Sequence, residues 1–388
     1  MSPLLRRGQG AGKLRVPVPL ALLDVLRDGP APLARRRGGA EGPLEVAVVV
    51  PQFRRGSGGH STIANLVRGL EARGHALSLW VQDDEGRHAG ESEAQTAALW
   101  ADFFGPVAAP VRTGFGAWAG ADVVVATGWQ TVPRVLTLPG AGARAYLVQD
   151  HEPEFYATSA EREWAAWTYR QGLHCICASP WLAELVTGHY GASATPFDLG
   201  VDHDSYHALP THRRDDLVLF YARAVTPRRA VPLGLLALTE LHRRRPQLEI
   251  ALFGEARELD TPFPHRHLGV LEPDRLAHAY ASAAVGLVLS LTNPSLVPTE
   301  MLACGLPVVD VASDAMEATF GPTGPIVLAE ADPLALCDAI ERLLDDLLER
   351  ADRSRAGTEL VAGRTWPAAA AQVEHGLRAA LAAAEPGC

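Results

Sequence analysis

Asn293-Pro294-Ser295-Leu296-Val297-Pro298-Thr299-Glu300-Met301-Leu302-Ala303-Cys304-Gly305-Leu306-Pro307-Val308-Val309 is the stretch whose reading decides the fold. Pro298 suits the first turn of a helix, and Gly305 followed by Pro307 stops it. The apolar run that resumes at Val308 is a buried strand. A loop, a short helix and a strand in that order form one step of an α/β repeat. At the helix start, around Ser295, Leu296, Val297 and Thr299, backbone N–H groups lack intrahelical partners and can hold a phosphate. Glu300 lies in the first turn and has two readings. Its carboxylate complements the helix dipole, for about 0.3–1 kcal/mol, or it accepts hydrogen bonds from the sugar hydroxyls of a nucleotide.

The same rhythm extends both ways. Residues 217–221, 248–253, 285–289 and 308–311 read as strands, and 233–244, 276–283 and 298–303 as helices. Two further helices are expected over 333–347 and 366–384. Upstream, residues 44–50 form a continuous apolar run closed by Pro51, as buried parallel strands do. A glycine loop and a helix over 61–73 follow, then strands over 76–81, 121–126, 143–148 and 174–178. The expected architecture is therefore α/β, with two doubly wound Rossmann-like domains facing a cleft. Residues 1–42 read as a tail ordered in part by docking, 43–205 as the first domain, 206–365 as the second, and 366–388 as a terminal helix.

The chain has 388 residues and a net charge of −10, which excludes a general nucleic-acid binder because phosphate contacts need a basic face. Its 47% hydrophobic content excludes a mostly disordered chain. No uncharged apolar stretch reaches the length of a spanning helix. The basic residues of 1–16 precede no signal-type apolar segment. A cytoplasmic protein is expected, with a peripheral membrane contact left open. Cys175, Cys177, Cys304, Cys337 and Cys388 form no repeated CxxC and read as buried thiols. Lys13 is the lone lysine, so a site that needs a cation must use arginine.

Three more segments carry chemistry. Gly56-Ser57-Gly58-Gly59 lies between a strand and a helix, where glycine lets a ligand approach the backbone; Arg54, Arg55 and His60 are close in sequence. Neither a dinucleotide fingerprint nor a P-loop is present: the third glycine position is Ser61, and Lys13 follows no strand. Asp150, His151 and Glu152 follow a strand, well placed for catalysis, and nothing else supplies clear ligands for a metal beside them. Arg223, Arg228 and Arg229 follow the first strand of the second half and present donor forks suited to a diphosphate.

Taken together, residues 200–207 (GVDHDSYH), 221–229 (YARAVTPRR), 252–255 (LFGE), 268–283 (LGVLEPDRLAHAYASA) and 298–309 (PTEMLACGLPVV) resemble the donor domain of retaining glycosyltransferases of family 4, which have the GT-B fold. The resemblance spans roughly residues 44 to 385. It implies that Arg223 and Arg228 or Arg229 bind a donor diphosphate, that Glu300 binds the ribose, and that Gly58 and Gly59 border the donor phosphates or the acceptor. It implies too that the terminal helix crosses back onto the first domain. Residues 146–156 (YLVQDHEPEFY) resemble more narrowly bacterial rhamnosyltransferases that build surface glycans. The family's usual Glu eight residues before Glu300 is Thr292, and its GxG after a second-domain strand reads Gly254-Glu255-Ala256.

The expected activity is transfer of a sugar from a nucleotide diphosphate to a hydroxyl acceptor, with retention and without a metal. A dTDP- or UDP-sugar is the expected donor, with a 6-deoxyhexose such as rhamnose favoured. The acceptor is a glycan, a glycolipid or a small natural product. Asp150, His151 or Glu152 orients the acceptor or the reacting sugar. A nucleotide-sugar 2-epimerase and a non-catalytic carbohydrate-binding protein of the same fold remain as alternatives. Seven tryptophans (80, 100, 118, 129, 164, 167 and 181) lie in the first half; most read as core, and one or two as lining an acceptor cleft.

Overall fold

The computed structural model describes residues 18–34 and 42–384; the basic N-terminal stretch and Cys388 lie outside the described residues. Two parallel sheets follow one another along the chain. The first contains β1 (Glu45–Pro51), β2 (Ala76–Gln82), β3 (Val111–Thr113), β4 (Ala121–Ala126), β5 (Ala141–Val148), β6 (His174–Cys177) and β7 (Ala194–Pro196), ordered β3-β2-β1-β4-β5-β6-β7. The second contains β8 (Leu217–Tyr221), β9 (Glu249–Phe253), β10 (Arg266–Gly269), β11 (Val285–Leu287), β12 (Val308–Val311) and β13 (Val327–Ala329), ordered β10-β9-β8-β11-β12-β13. In each sheet the order reverses beside the first strand, between β1 and β4 and between β8 and β11. Such switch points open a crevice outside the carboxyl ends of the strands.

The central strands are buried on both faces, so they are written as unbroken apolar runs: Val49, Val50, Val123 and Val124 are fully enclosed. Strands β3, β7, β10 and β13 were not expected from the sequence. They are three or four residues long, and each lies at or near a sheet edge where one neighbour or one covered face suffices. The Arg266-His267-Leu268-Gly269 strand, with no fully buried residue, shows how little pattern such an edge needs.

The helix Leu296–Ala303 starts two residues earlier than Pro298 suggests. Proline is tolerated there because the missing N–H belongs to the first turn, where no intrahelical acceptor exists. The helix expected over 333–347 ends at Asp345, and a further helix that the sequence reading did not include, Leu347–Val361, follows it. Asp346 divides them: its carboxylate accepts from Glu349 N at 2.9 Å and caps the second. The last helix, Trp366–Ala384, leaves the second domain and joins the first core through Ala369, Val373 and Leu377. It meets the helix Gly58–Ala72 so closely that a Cβ on Gly69 would lie 2.5 Å from Ala370 Cβ. Near the amino end, the helix Leu20–Asp28 buries Leu22 and Val25, and Arg144 Nη2 donates to Ala31 O at 2.6 Å just beyond it. Among the described residues no helix is long and apolar enough to cross a membrane.

Candidate active site

The second domain offers open polar groups at its switch point. Arg223 stands just past the end of β8 and has no hydrogen-bond or ion-pair partner for its side chain among the described residues. On the adjacent strand's carboxyl side, Ser295 is the N-cap residue of Leu296–Ala303, yet its hydroxyl makes no cap bond. Ser295 Oγ is buried without any partner. A buried orphan hydroxyl costs free energy unless a ligand completes it. Glu300 follows one turn later, and burial, helped by the nearby Asp202 carboxylate, pushes its pKa up to about 7. On the other side of β8, Gly254 ends β9 with φ of +92°, and a Cβ there would lie 2.5 Å from the Tyr221 ring. Only glycine fits this turn.

The three arginines after β8 separate in the fold. Arg228 reaches across to the first domain: its Nε lies 3.0 Å from Asp150 Oδ2, and its guanidinium sits 4.0 Å over the Phe155 ring. Arg229 turns inward instead. It is 5% exposed, and its Nη1 donates to Ser290 Oγ at 3.3 Å. Ser290 N in turn donates at 2.7 Å to the fully enclosed Asp310, whose carboxyl burial pushes up to about 7.

Asp150, His151 and Glu152 also part company. Asp150 Oδ2 accepts from Thr292 Oγ1 at 3.0 Å, and Oδ1 accepts from Asn293 N at 3.1 Å. Asn293 completes the join: Nδ2 donates to Gln149 O and Ala178 O, and Oδ1 accepts from Ser179 Oγ at 2.7 Å. His151 is paired through Nε2 with the Tyr190 hydroxyl at 2.7 Å and stacks on Tyr169. Glu152 is a first-domain brace, accepting from Tyr146 OH at 2.6 Å and from Trp129 N at 2.9 Å. Burial pushes its pKa up to about 7 against those two donors. Of the three, Asp150 is the one whose carboxylate meets the second domain.

Gly58 and Gly59 open the helix Gly58–Ala72, three residues before the expected start. Gly58 has nothing within 4 Å of where its Cβ would stand, and Gly59 O accepts from Gln149 Nε2 at 3.2 Å. His60 is buried, pairs with Ser57 Oγ at 2.7 Å, and is pushed down to about 4 by desolvation. Arg55 is paired with Asp102 and lies over Phe103.

Sequence reasoning did not find the Thr292–Asn293 join, the Phe155 platform or the Tyr146–Glu152–Trp129 brace. Thr292 and Asp150 are each singled out in the sequence, but nothing in it pairs them. Cys175, Cys177, Cys304 and Cys337 are buried and unpaired. Cys337, Asp338 and Glu341 bring ligand-type atoms within 4.8 Å of one another. Arg244 occupies that cluster, with Nη1 at 2.6 Å from Asp338 and 2.7 Å from Glu341, which makes it an ion-pair network.

Comparison with known proteins bears on the fold. Residues 216–341 match the family model described as the WsaF C-terminal domain. Sucrose-phosphate synthase from Thermosynechococcus elongatus superposes with a TM-score of 0.64 at 16% identity, covering 87% of this chain and 99% of that one. Anabaena HepE, solved in complex with UDP and glucose, superposes with a TM-score of 0.64 at 14% identity, covering 87% and 100%. The chain thus has the GT-B glycosyltransferase fold. It is also 33% identical over 367 residues, 90% of its length, to the O-antigen biosynthesis protein RfbC of Myxococcus xanthus, of which it spans 28%.

Proposed function

We propose that the chain is a glycosyltransferase that moves a sugar from a nucleotide diphosphate to a hydroxyl acceptor in glycan assembly. The observation that carries this reading is the pair of open groups at the second switch point, the unpartnered Arg223 and the orphaned Ser295 hydroxyl at a helix start. A diphosphate satisfies both: the helix N-terminus and hydroxyl bind one end, and the guanidinium neutralises the other. As the glycosidic bond to the donor breaks, the leaving β-phosphate gains negative charge. A fixed cation then stabilises the transition state more than the ground state. Arginine serves here in place of a metal. Arg228 stands at the domain junction, paired with Asp150. Glu300, one turn into the helix, accepts from the ribose hydroxyls. Retention at the anomeric carbon and a 6-deoxyhexose donor such as a dTDP-rhamnose remain part of this proposal; the RfbC likeness supports a role in surface-glycan assembly.

A melting series tests it. Free UDP, dTDP or GDP added without metal should raise the melting temperature, because a ligand of the native state alone stabilises it by about 2.7 kcal/mol at a hundredfold excess over Kd. If none of the three shifts the curve at millimolar concentration, the donor assignment fails.

A further inference from the structure

Arg228 is held by both domains. Its own domain fixes the backbone: Pro227, Arg228 and Arg229 form one 3-10 turn, and Leu291 N donates to Arg228 O at 3.2 Å. That bond ties the arginine loop to the segment that runs on to Ser295. The first domain fixes the side chain. Asp150 Oδ2 stands 3.0 Å from Nε, and the guanidinium carbon lies 4.0 Å from the centre of the Phe155 ring. Neither Nη of Arg228 has a hydrogen-bond or ion-pair partner among the described residues.

The two first-domain contacts divide the guanidinium between them. An arginine side chain loses rotamer freedom when a ligand fixes it, and that loss weakens binding. Here Phe155 holds the plane and Asp150 holds the Nε edge before any ligand arrives, so the two Nη groups form a preset fork. Asp150 is itself held, accepting from Thr292 Oγ1, Asn293 N and His151 N. The platform is held too. Phe155 ends the 3-10 helix Glu152–Phe155, whose first residue is braced by Tyr146 and Trp129. Leucine at 155 would keep an apolar contact and lose the π face that attracts the cation.

We propose that Phe155 is a positioning residue of the donor site: stacked on Arg228, it holds the Nη fork for the terminal phosphate of a nucleoside diphosphate and so sets the preference for a diphosphate over a monophosphate. The inference rests on the donor reading above, in which the second domain carries the nucleotide. It adds that an aromatic side chain of the first domain governs recognition of the second phosphate, acting through Arg228. A monophosphate places its one anionic group at the helix start and leaves the fork empty.

Calorimetry on the full chain tests this, with UDP, dTDP and GDP titrated against UMP, dTMP and GMP. Phe155→Leu should weaken the diphosphate that binds wild type by roughly tenfold and leave its monophosphate within about twofold. Phe155→Tyr keeps an aromatic face and should restore the preference. Arg228→Gln should lose the same preference, and Phe155→Leu should add nothing on that background, because both changes remove one contact. Phe155→Met serves as the second variant if Phe155→Leu does not fold. A ring that only fills space would lower the melting temperature and change both nucleotides alike. The proposal is overturned if the leucine and methionine variants keep the wild-type ratio of diphosphate to monophosphate affinity, if Arg228→Gln keeps it, or if the two losses add. Binding of no diphosphate to the wild-type chain would instead overturn the donor reading, and this inference with it.

Discussion

The two loop systems that meet at the domain junction are finished to different degrees. On the first domain, the segment from Gln149 to Tyr156 has its buried carboxylates matched, Asp150 by Thr292, Asn293 and Arg228 and Glu152 by Tyr146 and Trp129, and His151 Nε2 is paired with the Tyr190 hydroxyl. On the second, Arg223 and Ser295 are left open. A matched loop holds shape, and an unmatched one holds a ligand, because buried polar groups without partners cost free energy until something supplies them. In the proposed function the donor cradle is therefore the second domain's, and the Asp150 loop joins the two halves through Thr292, Asn293 and Arg228.

The comparison breaks most readily at Arg223. Arg223→Ala should cost on the order of 2–4 kcal/mol in the transition state, roughly 30- to 1,000-fold in turnover. Its melting temperature should stay near that of wild type, because the side chain has no partner to lose. Arg229→Ala should do the reverse, lowering the melting point with nucleotide affinity kept, since its Nη1 serves Ser290. A transferase assay paired with a melting curve reads both, and near-normal turnover in Arg223→Ala would refute the donor assignment.

A smaller effect is expected at the join. Asp150→Ala strips the acceptor from Thr292 Oγ1 and Asn293 N and leaves Arg228 uncompensated. The expected loss is about 1–3 kcal/mol of stability, seen as a lowered midpoint in denaturant. Asp150→Asn should recover part of it, because the amide oxygen still accepts from Asn293 N. An unchanged midpoint in Asp150→Ala means that the two domains are not held by this contact.

The smallest effect sharpens the contrast through pH. Glu300 is raised from an ordinary 4.5 to about 7 in the folded chain. The native state therefore holds this proton more tightly than the unfolded state, and stability falls as pH rises from about 4.5 to about 7 and then levels. Glu152 and Asp310, also raised to about 7, add to the same slope. Glu300→Gln should flatten part of it and weaken nucleotide binding above pH 7. Melting temperatures at several pH values, with and without UDP or dTDP, distinguish this from a dipole partner alone, whose loss would leave nucleotide affinity intact.

Much of the site was legible as types of residue at ends of strands. Arg223 and Ser295 could be singled out because a cation after the first strand of a repeat and a helix start after the fourth both fall on the carboxyl side of the sheet. The split among Arg223, Arg228 and Arg229 was not legible, since three arginines within seven residues look alike until Ser290 and Asp150 claim two of them.

The sequence by itself determined two consecutive α/β repeats, because strands covered on both faces must be apolar throughout and helices between them must show their own period. It also determined which charged and hydroxyl groups stand where those strands end. Tertiary structure alone decided which groups meet. Asp150 and Thr292 are 142 positions apart, and Ser179 and Asn293 are 114 apart. A pairing at that separation leaves no periodic trace in the chain. It exists only once two independently folded sheets turn their carboxyl ends toward each other, and it settles which side chains are spent on closing the molecule and which are left for a ligand.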